Sequence, residues 1–199
     1  LIFESAKFFW SRIAVSVYSS FTSILLASTV SAASYSLYSV SEQLYKGGQL
    51  FSGSVSQATL PETTKSGKTD IVFFWARVFA ILGLFCLLGA FIFGSELLGL
   101  LFGQDFVNGD RILLIFATIF LCHSISVMFG YPYFAAKNAL QVANNSVMFG
   151  AAIHFINLSV LYFLNILDIY SAGIAILITE VCIMFYRMLY IKTKYPIRY

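Results

Sequence analysis

Glu42 and Lys46 stand four positions apart in the stretch "YSLYSVSEQLYKGGQLFSGS", residues 35 to 54, between two strongly apolar segments. That spacing places an acid and a base one turn apart on one helical face, with the acid on the favourable N-terminal side. Positions 35, 38, 42, 45, 46, 49, 53 and 56 share the face, so Tyr35, Tyr38, Tyr45 and Gln49 join the stripe, while Leu37, Val40, Leu44, Phe51 and Val55 lie opposite. Such a stripe either locks its helix to neighbouring helices through an ion pair or lines a hydrated cavity. In water an i,i+4 pair is worth about 0.2–0.5 kcal/mol, whereas one charge near a bilayer centre costs about 2.5–3.5 kcal/mol. That imbalance favours the cavity.

Three further ionisable groups fall midway along apolar runs: His123, His154 and Glu180. A histidine in an apolar helix reads first as a hydrogen-bonded packing residue and second as a proton carrier. Glu180, flanked by Ile178, Val181 and Ile183, is either protonated in an apolar contact or paired across a helix interface, and all three are candidates for proton coupling. Arg12 and Arg77 stand nearer the ends of their runs, where the stem can snorkel to the headgroups. Arg12 also has the right charge to serve the stripe.

The elements that hold these groups follow from the solvent. With 59% hydrophobic and 11% charged residues and a mean hydropathy of +0.85, the chain lacks the polar residues needed to cover a water-soluble core. A helical span needs about 20 apolar residues to cross a hydrocarbon core of roughly 30 Å. The pattern predicts an all-α, polytopic six-helix transmembrane bundle, a single domain over residues 1–199, with spans at about 10–33, 35–59, 71–93, 111–135, 142–165 and 169–191. Backbone groups facing lipid must bond within their own segment, which makes these spans helices. The segment "SELLGLLFGQDF" is expected as a separate interfacial helix between the third and fourth.

Six spans put both ends on one side, together with the loops at 60–70 and 135–142. Placing that side in the cytoplasm collects Lys7, Arg12, Lys65, Lys68, Arg77, Lys137, Arg187, Lys192, Lys194 and Arg198 there, against Arg111 outside and Lys46 within a span. Ten against one is a strong positive-inside bias. The net charge of +3 is therefore a topology signal, and no nucleic-acid partner is expected. Leu1 opens the chain without the parts of a removable signal peptide.

No H-E-x-x-H, G-x-S-x-G, phosphate-binding glycine loop or Cys/His cluster is present, so no catalytic residue, metal or cofactor is expected. Cys86, Cys122 and Cys182 fall in apolar runs at spacings that match no disulfide framework and read as small buried hydrophobes.

"YSLYSVSEQLYKGGQLFSGSVSQATLPETTK" resembles the segment after the seventh span of bacterial O-antigen and capsular polysaccharide flippases, the Wzx-type members of the multidrug/oligosaccharidyl-lipid/polysaccharide exporter superfamily. "LLGLLFGQDFVNGDRILLIFA" resembles the same family's short outer loop before the tenth span. The resemblance covers nearly all of the chain and implies the C-terminal half of a two-bundle transporter. "FTSILLAS" departs from it, with Thr22, Ser23 and Ala27 where relatives commonly have an Asn and a Leu-Gly.

The family likeness implies a non-enzymatic flippase in the bacterial inner membrane that moves undecaprenyl-diphosphate-linked oligosaccharide by alternating access, with both ends of this segment cytoplasmic. Glu42, Lys46, Tyr35, Tyr38, Tyr45, Gln49 and Arg12 would then face the substrate, cations receiving diphosphate and aromatic and hydroxyl groups receiving sugar. Membrane lipid and other polysaccharide-assembly membrane proteins are the remaining candidate partners. The alternatives are a cation-coupled drug or small-metabolite exporter of the same superfamily and a polytopic enzyme of polysaccharide assembly, which would need a catalytic or arginine-rich outer loop.

Overall fold

The computed structural model describes residues 21–195. Residues 21–29 are the described part of helix α1, followed by α2 (Ala32–Ser66), α3 (Asp70–Phe102), a 3-10 helix (Gln104–Gly109), α4 (Asp110–Met128), α5 (Tyr131–Ala136), α6 (Leu140–Phe163) and α7 (Ile169–Lys194). Among the described residues every regular element is helical, as the apolar spans require. Four units are long and apolar enough to cross a membrane: Asp70–Phe102, Gln104–Ala136, Leu140–Phe163 and Ile169–Lys194. This is the architecture of a multi-pass membrane protein, with four such spans where six were expected. The span expected at 10–33 lies partly outside the described residues. The helix expected at 35–59 forms, but its polar stripe keeps it below the apolarity of the other four.

Two boundaries differ from the sequence expectation, and a third holds. The loop expected at 60–70 is helical as far as Ser66, with Pro61 inside α2. Proline removes one backbone donor, but Thr59, Thr63 and Thr64 add hydroxyl bonds to the carbonyls of Val55 (2.8 Å), Leu60 (3.0 Å) and Leu60 (2.8 Å) around it. Gly67 ends the helix at φ 67, where a side chain is strained, and its N–H donates to the Thr63 carbonyl. "SELLGLLF" follows the third span without a gap, but the non-helical Phe93 (φ −122, ψ 17) kinks α3 there and sets this segment off as its own helical piece, as expected. The span expected at 111–135 is broken at Phe129 and Gly130, and α5 restarts with Pro132 in its first turn.

Helix α4 is the most enclosed of the four spans and packs against α2, α3 and α7, while α6 packs against α7 and α5 against α2. Loops 67–69 and 137–139 share one end of the bundle: a Cβ on Gly67 would lie 3.8 Å from the Ala136 carbonyl oxygen. Tyr195 reaches that end too, against Tyr133 of α5 with ring centroids 6.5 Å apart. At the opposite end Gly109 lies against Leu37 of α2. Phe74, Ile81, Phe85, Leu88, Phe91 and Ile92 of α3 point outward, an apolar face suited to lipid.

Two apolar clusters cap the interior. Tyr38, Ile112, Phe116, Phe120, Ile169 and Ala172 fill one, and Val72, Phe79, Met128, Phe134, Val142 and Ile191 fill the other. Between them on α4, α6 and α7 lie His123, Ser124, Ser126, Ser146, His154, Thr179, Glu180 and Arg187, all buried except the half-buried His123.

Candidate functional site: a polar layer inside the bundle

Glu42 is buried where α1 meets α2. Its two carboxylate oxygens each accept from Ser23 Oγ at 3.1 Å, and Oε1 pairs with Lys46 Nζ at 3.0 Å. The Lys46 side chain keeps 46% of its surface open against 9% for Glu42, so the cation sits at the edge of the bundle and the anion inside it. The pair predicted from spacing forms as drawn.

The remaining stripe residues divide. Tyr38 is fully buried, edge-on to Phe116 at 5.2 Å and stacked on the half-buried Tyr35 at 6.4 Å, a packing role rather than an open wall. Among the described residues its Oη has no hydrogen-bond partner. Tyr45 is buried, touches Phe116, and meets His123 edge-on with centroids 6.0 Å apart. Gln49 Nε2 donates to Tyr45 Oη at 3.3 Å. Arg12 lies outside the described residues, and Arg77 is exposed.

His123 Nδ1 lies 3.2 Å from Glu180 Oε2, joining α4 to α7. Of the two readings open for Glu180, pairing across a helix interface is the one observed. Tyr45 thus stands between the Glu42–Lys46 pair on its own helix and the His123–Glu180 pair. The adjacent Thr179 faces α6 instead. Its hydroxyl donates to the Ala175 carbonyl at 2.8 Å, so at 3.2 Å it accepts the proton on His154 Nδ1. A neutral ring protonated there leaves Nε2 to accept from Thr22 of α1 at 2.8 Å. His154 therefore ties α1, α6 and α7 as a satisfied core histidine.

Arg187 departs most from its expected place. Counted among the cytoplasmic basic residues, it is instead buried between three helices: Nε donates to Ser146 Oγ at 2.9 Å, and Nη1 to the Ser126 carbonyl at 2.7 Å and its Oγ at 3.1 Å. It lies seven residues, two helical turns, beyond Glu180 on the same face of α7. That spacing, with serines on α4 and α6, was the available signal. Cys86 is also exposed rather than buried. Among the described residues no three metal-ligating side chains converge.

A cavity of about 550 Å³ opens between α2, α3 and α4 and shares only Tyr45 with the predicted stripe. Fold and site together define an all-helical, multi-pass membrane protein with ionic and hydroxyl contacts buried between its helices. No protein family, curated protein or solved structure matches the chain.

Proposed function

We propose that the chain is the C-terminal half of a transporter that flips lipid-linked oligosaccharide, carried on undecaprenyl diphosphate, across a bacterial inner membrane by alternating access. The observation that carries this reading is the Glu42–Lys46 contact, an ion pair kept within a bundle whose other spans are apolar, with its cation half open. Ionisable groups at such depth mark transport pathways by default, because their cost exceeds what a structural pair returns. The resemblance of residues 35–65 to the flippases suggests the substrate class, and the basic bias of the loops supports reading both ends as cytoplasmic. The reaction is a movement, with no bond made or broken.

The test uses the full-length protein in a strain lacking its own repeat-unit flippase. Lys46→Gln is expected to lower surface polysaccharide at unchanged protein abundance, and Lys46→Arg to retain more of it. Exchange of the pair, Glu42→Lys with Lys46→Glu, keeps an ion pair but moves the cation by one turn, about 5.4 Å. Full export by the exchanged protein at normal abundance overturns the assignment.

The His123–Glu180 contact favours a second reading, a cation-coupled exporter of drugs or small metabolites. Such a protein would lose pH-dependent export in Glu180→Gln and leave surface polysaccharide untouched.

A further inference from the structure

The cavity between α2, α3 and α4 plays no part in the polar layer. Leu44, Gly48 and Phe51 form its α2 wall, residues from Leu82 to Leu97 its α3 wall, and Leu113, Phe116, Ala117 and Phe120 its floor on α4. None of its lining residues is charged. The Ser41 hydroxyl already donates to the Leu37 carbonyl at 3.0 Å, and Tyr45 Oη accepts from Gln49. Nothing in the lining invites a polar ligand, and water in a cavity without polar partners is unfavourable.

We infer that this groove holds the hydrocarbon tail of a membrane lipid. Its shape favours a chain over a protein segment. From Leu82 to the kink at Phe93 the α3 wall advances eleven residues, roughly 16 Å along the helix axis at 1.5 Å per residue, about one leaflet of a core about 30 Å thick. A helix is at least about 10 Å across, so the 550 Å³ of the groove would take little more than one turn of it. A polymethylene chain packed at carbon contacts of about 4 Å fills the same space over tens of ångströms. The groove also opens beside the outward apolar face of α3, through the exposed Phe51, Phe85 and Phe93. Most of the lining lies in the halves of α2, α3 and α4 nearer the 103–109 connection, with Phe51, Leu82, Phe85 and Phe120 just past the middle, so the tail enters from that leaflet and reaches the bundle centre. The inference requires only that the helices cross a bilayer and is independent of what the protein transports.

The experiment is photolabelling of the full-length protein in phosphatidylcholine vesicles doped with phosphatidylcholine carrying a diazirine on one acyl chain, with adducts mapped by peptide mass spectrometry. Lipid outside the bundle labels exposed residues such as Phe91 and Phe155, whereas Leu113, Phe116 and Phe120 are buried and reachable only from within the groove. The expected result is labelling of both sets. No atom lies within 4 Å of a Cβ built on Gly89, so this position on the groove wall has room for a larger side chain, and Gly89→Leu places one there. It should abolish labelling at Leu113 and Phe116 and leave Phe155 labelled as before. Absence of adducts on the floor in the unaltered protein overturns the inference, as does floor labelling that survives Gly89→Leu. Floor residues protected by a dimer that Gly89→Leu dissociates would assign the groove to a second copy and overturn it equally.

Discussion

Gly130 and Arg187 are packed face to face at the break between α4 and α5: a Cβ on Gly130 would lie 3.0 Å from Arg187 Nη1 and 3.1 Å from its Cζ. The guanidinium reaches past this glycine to the Ser126 carbonyl in the last turn of α4, where a cation meets the negative end of the helix dipole. With Ser146 as its other partner, Arg187 fastens α4, α6 and α7 at one point.

Gly130→Ala should therefore push the guanidinium aside and destabilise the protein by about 1–3 kcal/mol, the usual cost of overpacking. Arg187→Lys keeps the charge but loses the planar fork that serves Ser126 and Ser146 together, and loss of a hydrogen bond to a charged group costs about 1.5–3 kcal/mol. Thermal unfolding in detergent measures both. Unchanged midpoints would mean that this contact does not hold the break.

Two glycines should respond with opposite sign. A Cβ on Gly83 would meet Leu121 Cδ1 at 2.7 Å and its Cα at 2.9 Å, and the backbone atom cannot rotate away. Gly53 has no atom within 4 Å of its Cβ position. Gly83→Ala is expected to separate α3 from α4 and lower stability, while Gly53→Ala raises it by up to about 1 kcal/mol through helix propensity. The comparison fails if the two variants shift together.

Topology offers a third test. In a protein stripped of Cys86, Cys122 and Cys182, single cysteines at Gly67→Cys and Gln104→Cys sit at opposite ends of the bundle. An impermeant thiol reagent added to intact cells should label the second and spare the first. The reverse pattern would invert the proposed orientation.

Energetic coupling between His123 and Glu180 is measurable as a double-mutant cycle on unfolding, using His123→Gln and Glu180→Gln. Because each single change leaves one buried partner behind, the double variant should cost less than the two singles together, by about 0.5–3 kcal/mol. Strict additivity would show that the 3.2 Å contact contributes no energy.

Much of this architecture is legible in composition and period, because lipid leaves the backbone few alternatives. The Glu42–Lys46 pair was readable for the same reason, since the contact joins neighbours on one helix. That Tyr38 turns inward was not legible, because packing against Phe116, seventy-eight residues away, decides which tyrosine of the stripe is buried. Arg187 was miscounted because loop statistics assign a basic residue near a helix end to the water, while Ser126 and Ser146, sixty-one and forty-one residues away, hold it inside. The break after α4 has two local signals, Gly130 at it and Pro132 at the start of α5, while the packing of Arg187 against Gly130 is long-range.

Helix α2 carries a consequence for how the protein sits in its bilayer. Thirty-five continuous residues make a rod about 52 Å long at 1.5 Å per residue, against a hydrocarbon core of roughly 30 Å. Tilting alone would require an inclination above about 50°, beyond the roughly 0–40° observed for membrane helices. An α2 that crosses would therefore keep part of its length clear of the hydrocarbon, and the turns around Glu62, Thr64 and Lys65 are the exposed polar ones. Those turns would then form a helical stalk beyond the hydrocarbon at the 67–69 end, with threonine hydroxyls bonded to the carbonyls around Pro61.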